Sequence, residues 1–277
     1  MNGPVRTVCF VSDRTGVTAE TLGHALLSFF DGIAFSAVTM PFVRDAAQAS
    51  GVVGRINALG AEQNSPPIVF CTVVDQEARA VIQQANALVI DLFSAFVGQL
   101  EAALGAKAGA VGMPAMHGAK TDPTYTARIE ATNYALANDD GSGARDYRSA
   151  NVVLMGVSRS GKTPTCLYLA LQYGVFAANY PLADEDLEGG RLPRALMPHR
   201  QKLYGLILKP DRLQQIRSER RPGSRYASPQ QVQYELRAAQ TLFDRFGVPY
   251  LDVTESSIEE IASRILDEMG LVRQARS

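Results

Sequence analysis

The chain contains 277 residues, 46% of them hydrophobic and 20% charged, which is enough for one large or two modest domains with a buried core. Its formal net charge of −1 excludes the broad positive field by which many proteins bind nucleic acids or anionic membranes, so we expect neither partner. No stretch reaches the ~18 consecutive apolar residues of a membrane span, and the amino terminus has no secretory pattern, so we expect a cytoplasmic protein.

Residues 1–105 alternate between apolar runs and amphipathic runs. The runs "RTVCFVS", "IAFSAVTMPFV" and "PPIVFCTV" predict strands, and the segments that follow them predict helices. Asp45 stands where it would cap the second helix. This alternation predicts a parallel sheet with helices on its faces, so residues 1–105 are predicted to be an α/β domain.

Polar residues cluster in "SDRTG", directly after the first predicted strand. Ligands bind at the carboxyl ends of the strands in parallel sheets, so Asp13 could act there as a base or as a carboxylate near a metal. Asp13 or Thr15 could equally cap the helix that follows. Both interpretations stay open at this point.

The three cysteines, Cys9, Cys71 and Cys166, lie far apart, each within an apolar run. An odd count without C-x-x-C spacing argues against a zinc site and against a disulfide framework. We expect three buried, reduced thiols.

Residues 106–150 are predicted to be a linker followed by a helix. The stretch 107–124 is rich in Gly, Ala and Pro and has no period, whereas the following "YTARIEATNYALA" predicts a helix. The helix leads into "NDDGSG", where Asp139 and Asp140 are adjacent. Adjacent carboxylates can hold Mg²⁺ or accept a proton as a general base, and they are also ordinary turn residues before a glycine.

A candidate phosphate-binding loop opens the part of the chain from 151 to 277. Residues Gly156–Thr163 read "GVSRSGKT" and fit the pattern G-x-x-x-x-G-K-[ST]. The apolar run "VVLM" precedes this loop and a helical run follows it, which is the context that the motif requires. We therefore predict that residues 151–277 form a nucleotide-binding, kinase-like α/β domain.

The chemistry of polyphosphate binding explains the residue types in this loop. Glycines let successive backbone N–H groups turn toward the anion, and the helix directs its positive end at the same anion. Lys162 places a charge on the outer phosphate oxygens, and Thr163 offers its hydroxyl to Mg²⁺. The predicted nucleotide-binding residues are Gly156, Val157, Ser158, Arg159, Ser160, Gly161, Lys162 and Thr163.

Arginines are frequent around this motif. Arg159 lies inside the loop, where it could reach a phosphate or the acceptor or could be merely exposed. The segment "RSERRPGSRY" adds Arg217, Arg220, Arg221 and Arg225. These four could clamp a transferring phosphoryl group or lie on a solvated helix face.

The rest of the chain predicts further strands and helices. The runs "GVFAANYPL", "KLYGLILK" and "VPYLDV" predict strands, and helices are predicted after Pro210 and over 228–246. A closing amphipathic helix is predicted to be capped by Ser256 or Ser257 and to end at Gly270.

Several of these segments together resemble one family. "SRSGKTPT" with "NYPL" downstream, "ARIEATNYALANDDG" and "KLYGLILKPDRLQQIRSERR" are similar to the bifunctional regulatory proteins of phosphoenolpyruvate synthase and of pyruvate, phosphate dikinase. The resemblance runs over nearly the whole chain and is closer to the bacterial phosphoenolpyruvate synthase branch. One departure is Arg14, where the pattern of many relatives leads us to expect glycine.

The resemblance implies two opposing reactions on phosphoenolpyruvate synthase. An ADP-dependent serine/threonine kinase would inactivate the synthase by phosphorylating a threonine, and a phosphorylase would remove that phosphoryl group with inorganic phosphate and release diphosphate. ADP, inorganic phosphate and Mg²⁺ are the implied ligands, and a homodimer is expected for a protein that acts on a dimeric enzyme. Lys162 and Arg159 would stabilise charge during transfer, and Asp13, Asp139 or Asp140 would accept the threonine proton.

Two other classes fit the loop by itself. A small-molecule kinase and a non-catalytic nucleotide sensor also use a strand, a glycine-rich loop and a helix. The long α/β segment before the loop favours a protein kinase, because a protein acceptor needs a docking surface and a small acceptor does not.

Overall fold

The computed structural model describes residues 5–108, 123–139 and 147–271. The chain divides into two compact units, Met1–Met116 and His117–Ser277. Each unit contains a four-stranded sheet in which every described pairing is parallel, and helices alternate with the strands along the chain. The predicted α/β fold class is confirmed.

The amino-terminal unit is built around the strand order β2-β1-β3-β4. Alternate residues of the first strand enter different buried clusters: Val8 and Phe10 pack with the first helix, and Cys9 and Val11 pack with the second and third helices. Both faces of the sheet are therefore covered, as parallel sheets require. Its elements in the described ranges are β1 (Val5–Ser12), α1 (Val17–Leu27), β2 (Ala34–Met40), α2 (Ala46–Glu62), β3 (Ile68–Thr72), α3 (Gln76–Ile82), β4 (Leu88–Asp91) and α4 (Ser94–Leu104).

The carboxyl-terminal unit has the strand order β6-β5-β7-β8. Val153 and Met155 of its central strand pack with the helices in residues 210–220 and 229–246, and Val152 and Leu154 pack with those in residues 123–137, 162–173 and 258–268. Its helices and strands in the described ranges are α5 (Pro123–Ala137), β5 (Val152–Gly156), α6 (Lys162–Tyr173), β6 (Ala177–Pro181), α7 (Asp184–Gly189), β7 (Leu203–Ile207), α8 (Pro210–Arg220), α9 (Pro229–Phe246), β8 (Tyr250–Asp252) and α10 (Ile258–Glu268).

Helix boundaries test several predicted caps. The Asp45 side chain accepts the N–H of Gln48 at the start of α2, and Ser257 forms a reciprocal capping box with Glu260 at the start of α10, so both caps are confirmed. Helix α1 begins after Gly16 without a side-chain cap. The capping role considered for Asp13 or Thr15 is therefore wrong.

The three cysteines are free and buried, as predicted. Within the described part of the chain, no helix is long and apolar enough to cross a membrane.

Candidate functional site

The loop Gly156–Thr163, called the motif loop below, joins β5 to α6. Strand β5 is buried along its whole length because it pairs with β6 and β7 on its two sides. The loop therefore lies at the carboxyl end of a central strand, where ligands bind in parallel sheets. The strand–loop–helix context predicted around the motif is present, and nucleotide binding by the loop stays a prediction.

Two glycines of the motif loop are required for different physical reasons. A Cβ at Gly156 would lie 2.6 Å from the Leu206 carbonyl oxygen and 2.6 Å from the Ser160 hydroxyl oxygen, so no larger residue fits there. Gly161 has open space around it but a φ of +87° at the amino terminus of α6. Only glycine adopts that conformation without strain, and it allows the loop to turn directly into the helix.

A cavity of about 660 Å³ adjoins the motif loop, within the size range of small-molecule sites. Four basic side chains contribute to its lining, and so do three residues with hydroxyl groups, one of which is Ser158. The others are Arg159, Lys162, Arg220, Arg221, Thr163 and Tyr226. An opening of this size with so much positive charge suits ligands that carry phosphate groups.

Lys162 is held against the motif loop itself. Its side chain is buried, and its ammonium donates a 2.8 Å hydrogen bond to the Val157 carbonyl oxygen. The residue also lines the cavity, so its charge is fixed beside the place where an anion would bind.

A cluster of polar side chains joins the motif loop to α5 and β6. The Thr163 hydroxyl donates to Asp139 Oδ1 at 2.8 Å, and Asn179 Nδ2 donates to the same oxygen at 2.6 Å and to Thr163 Oγ1 at 3.0 Å. The backbone N–H of Asn179 also donates to the carbonyl of Asn138, which ties the end of α5 to β6. Of the two adjacent aspartates, Asp139 is thus beside Thr163, whereas Asp140 lies outside the described residues.

This cluster fits a magnesium ion by the chemistry of its donors. Mg²⁺ prefers hard oxygen ligands and is commonly held by one or two protein groups plus phosphates and water. Thr163 and Asp139 supply a hydroxyl and a carboxylate 2.8 Å apart, and the buried Asn179 Oδ1 has no hydrogen-bond partner among the described residues. Thr163, predicted as a metal ligand, and Asp139 would hold the ion.

Arg217, whose side chain is fully buried, is the centre of a second network. One of its terminal nitrogens donates to Glu235 Oε2 at 2.6 Å and to the Ser158 carbonyl at 3.1 Å, and the other donates to the Tyr226 carbonyl at 3.0 Å. Its guanidinium lies 4.1 Å from the centre of the Tyr226 ring, whose hydroxyl is 2.8 Å from Ser158 Oγ. The interpretation of Arg217 as part of a solvated helix face is wrong, because its side chain is buried and donates a hydrogen bond to the backbone of the motif loop.

The other arginines near the motif loop differ in whether they line the cavity. Arg220 and Arg221 are exposed and line the cavity, whereas Arg225 is exposed and does not line it. Arg159 lines the cavity with a φ of +75°, a conformation that is strained for a residue other than glycine.

Asp13 follows β1 in the amino-terminal unit and is half-buried. Its participation in the site stays a prediction. Sequence interpretation did not identify Asn179 or Glu235 as site residues. A usable signal existed for Asn179, since an amide within the buried strand β6 needs a polar partner.

Comparison with known proteins adds an independent observation. A model of the family described as kinase/pyrophosphorylase matches residues 8–266. Proteins named "putative phosphoenolpyruvate synthase regulatory protein" are similar over nearly their whole length. The one from Halorhodospira halophila is 51% identical over 98% of this chain and 98% of its own, and the one from Alcanivorax borkumensis is 49% identical over 97% and 98%. The Legionella pneumophila protein is 48% identical over 97% of this chain and 99% of its own.

Proposed function

The chain belongs to the kinase/pyrophosphorylase family, and on that premise we propose that it regulates phosphoenolpyruvate synthase by reversible phosphorylation. The kinase reaction transfers the β-phosphoryl group of ADP to a threonine hydroxyl of the synthase and yields AMP and a proton. The phosphorylase reaction joins that phosphoryl group to inorganic phosphate, which yields diphosphate and restores the hydroxyl. The names of the full-length relatives support the choice of target.

One observation carries the proposal for this chain. The motif loop, with Lys162 buried in it and Thr163 bonded to Asp139, adjoins a cavity lined by additional arginines. Backbone N–H groups of such a loop and the amino terminus of α6 suit the phosphates of ADP. Lys162 and Arg159 would stabilise charge on the transferred group, as phosphoryl transfer depends mainly on positioning and electrostatics.

Magnesium and a proton acceptor complete the proposed site. A bound Mg²⁺ would neutralise charge on the diphosphate, with Thr163 and Asp139 as its protein ligands. The threonine proton needs an acceptor, for which Asp13, Asp139 and Asp140 were predicted. Among these, we assign the role to Asp139, because it is the acid that the structure describes beside Thr163.

The decisive experiment uses ADP labelled in its β-phosphate and purified phosphoenolpyruvate synthase. We expect label on the synthase with the wild-type chain and with the matched control Lys107→Ala, an exposed lysine of the amino-terminal unit. With Lys162→Ala we expect a loss of at least about 100-fold, because the charge on the transferred phosphoryl group is no longer compensated. A normal rate with Lys162→Ala would contradict the assignment.

The same assay separates the competing classes. Turnover of small acceptors without label on the synthase would support a small-molecule kinase. ADP binding without transfer to either kind of acceptor would support a nucleotide sensor. In the reverse direction, labelled synthase incubated with inorganic phosphate should release labelled diphosphate, and release of labelled orthophosphate would indicate simple hydrolysis instead.

We also propose that the chain forms a homodimer. Helix α4 contains no buried residue, and its apolar side chains Phe96, Leu100 and Leu104 are exposed. Apolar surface of this kind is commonly covered by a partner. Sedimentation velocity should give about twice the chain mass of 29.9 kDa, and a monomer at micromolar concentration would contradict the proposal.

A further inference from the structure

Three arginines line the cavity beside the motif loop: Arg159 within the loop, Arg220 at the end of α8 and Arg221 directly after it. None of their guanidinium groups forms an ion pair with a residue in the described ranges. Arg217 and Arg79, by contrast, pair with Glu235 at 2.6 Å and with Asp91 at 3.6 Å. The cavity therefore holds three guanidinium charges that no described acid compensates.

Arg217 connects the end of α8, which carries Arg220 and Arg221, to the motif loop. Arg217, one turn earlier on α8, is fully buried and donates to the Ser158 carbonyl of the loop. The backbone N–H of Arg221 donates to the Arg217 carbonyl at 2.9 Å. Because the same buried residue contacts both the loop and the end of α8, the backbone that carries the two exposed arginines is tied to the loop.

Arg159 has a different kind of constraint. Its φ of +75° costs roughly 1 kcal/mol for a residue with a Cβ, and glycine would avoid that cost. Strained residues of this kind are concentrated at ligand-binding sites, where the surrounding structure maintains them. The strained residue here presents a third guanidinium to the same cavity as Arg220 and Arg221.

A nucleoside diphosphate alone does not account for this much charge. Its phosphates are matched by Lys162, by the backbone N–H groups of the motif loop and by the amino terminus of α6. A guanidinium group can donate two parallel hydrogen bonds to two oxygens of one phosphate monoester, and the ammonium group of lysine lacks this geometry. Three additional guanidinium groups thus suit a second, tetrahedral dianion.

We propose that Arg159, Arg220 and Arg221 form a subsite for the phosphate monoester of a phosphothreonine side chain, separate from the nucleotide phosphates at Lys162 and Thr163. The inference rests on the proposed function and specifies where the phosphorylated target binds. Free orthophosphate has the same tetrahedral chemistry and is the other possible source of the ligand.

The reverse reaction requires such a subsite. A phosphothreonine dianion and HPO₄²⁻ give a threonine hydroxyl and P₂O₇⁴⁻, so the bond from phosphorus to the threonine oxygen breaks and a bond from phosphorus to a phosphate oxygen forms. The proton of HPO₄²⁻ goes to the threonine oxygen. Two dianions must approach each other without a nucleoside to anchor either of them, and dispersed guanidinium charge reduces their repulsion.

The test is calorimetric titration of the full chain with N-acetyl-phosphothreonine amide, with orthophosphate and with ADP plus Mg²⁺. The double variant Arg220→Gln/Arg221→Gln is compared with Arg212→Gln/Arg225→Gln, which removes the same charge from exposed arginines that do not line the cavity. We expect the first pair to weaken phosphothreonine binding at least about tenfold, since charged hydrogen bonds to phosphate are lost. Its ADP affinity and the behaviour of the control pair should change less than about threefold.

Each other outcome overturns the inference in a distinct way. Unchanged phosphothreonine binding would remove the arginines from the subsite, and an equal loss of ADP affinity would assign them to the nucleotide. Orthophosphate binding that depends on the arginines, without phosphothreonine binding, would assign the subsite to free phosphate. If the double variant does not fold, Arg221→Gln and Arg159→Gln are titrated individually.

Failure of the proposed function gives a different pattern. Phosphothreonine would then bind through the arginines while no label passes from ADP to phosphoenolpyruvate synthase, and the subsite would stand without the proposed reaction.

Discussion

At the scale of single residues, Asp139 is the acid placed beside the motif loop, and its two proposed roles can be separated. We expect Asp139→Asn to lower kcat of the kinase reaction by about 10²–10⁴, because the amide cannot accept the threonine proton. The exposed Asp244→Asn is the matched control. If excess Mg²⁺ restores the rate of Asp139→Asn, the residue is only a metal ligand, and the proton acceptor must be Asp13 or Asp140.

Two buried thiols of the amino-terminal unit should make its free energy of unfolding depend on pH in the alkaline range. Burial raises the pKa of Cys9 and of Cys71 from 9.0 to about 11. Between these values the unfolded chain has lost the thiol protons and the folded chain has kept them, so the free energy of unfolding falls as pH rises. Each thiol contributes a slope of up to about 1.4 kcal/mol per pH unit.

Urea titrations at several pH values from 8 to 11 measure this slope. We expect it to be smaller in Cys9→Ala/Cys71→Ala than in the wild-type chain, even though the double variant is less stable at every pH. Ser50→Ala, at an exposed position of the same unit, provides a control that should leave the slope unchanged. Equal slopes in the wild-type chain and the double variant would show that the two thiols do not titrate differently on unfolding.

The sequence identifies a site residue only where the residues that act together are close to one another along the chain. The motif loop is recognisable because its residues are consecutive and each type has a chemical reason. Asn179 and Glu235 are not recognisable in that way, since their partners are 40 residues away at Asp139 and 18 residues away at Arg217. Only the fold shows which of four arginines in one short segment is buried and which two line the cavity.

At the scale of elements, the ion pair between Arg217 and Glu235 joins α8 to α9 and supports the motif loop from behind. Glu235→Gln keeps the shape of the side chain but leaves a buried guanidinium without its counter-charge. We expect a loss of roughly 3 kcal/mol in the free energy of unfolding, measured by urea denaturation. The exposed Glu219→Gln on α8 should change it by less than about 0.5 kcal/mol.

A double-mutant cycle with Arg217→Met separates the ion pair from general damage to packing. Because Arg217→Met removes the charge that Glu235→Gln leaves unpaired, the two changes together should cost less than the sum of their separate costs. Strict additivity would show that the two side chains are not coupled.

The sequence predicts the order of strands and helices more reliably than it predicts which unit each of them packs into. Apolar runs bounded by turn residues predicted every strand of the two sheets except β4, because strands buried on both faces are continuous apolar runs. The helix predicted within residues 106–150 exists as α5, which the division into compact units assigns to the carboxyl-terminal unit. No local pattern predicts which unit a helix joins, since that depends on long-range packing such as the contact of α5 with α6.

At the scale of the whole molecule, two units have the same pattern of strands. The strand orders are β2-β1-β3-β4 and β6-β5-β7-β8. In both sheets, the strand that comes first in the sequence lies between the second and the third. The sequence displays no internal repeat, because an apolar strand tolerates many combinations of Val, Ile, Leu, Phe and Cys. Shared topology was therefore visible only once the strand pairings were known.

Separate cores lead to a prediction for the unfolding of the intact chain. Each unit has its own buried clusters on both faces of its own sheet. We expect two calorimetric transitions, since units with independent cores commonly unfold independently. Val69→Ala and Val153→Ala, matched substitutions at fully buried strand positions of the two units, should each lower one transition and thereby identify it.

Addition of ADP and Mg²⁺ then tests where the nucleotide binds. A ligand that binds only the folded form stabilises it by about 2.7 kcal/mol at 100 times its dissociation constant. If the motif loop is the nucleotide site, the transition lowered by Val153→Ala should shift upward with ADP, and the one lowered by Val69→Ala should not. A shift of the Val69 transition instead would move the site to the amino-terminal unit, where Asp13 and its neighbours at the end of β1 would become the residues to test.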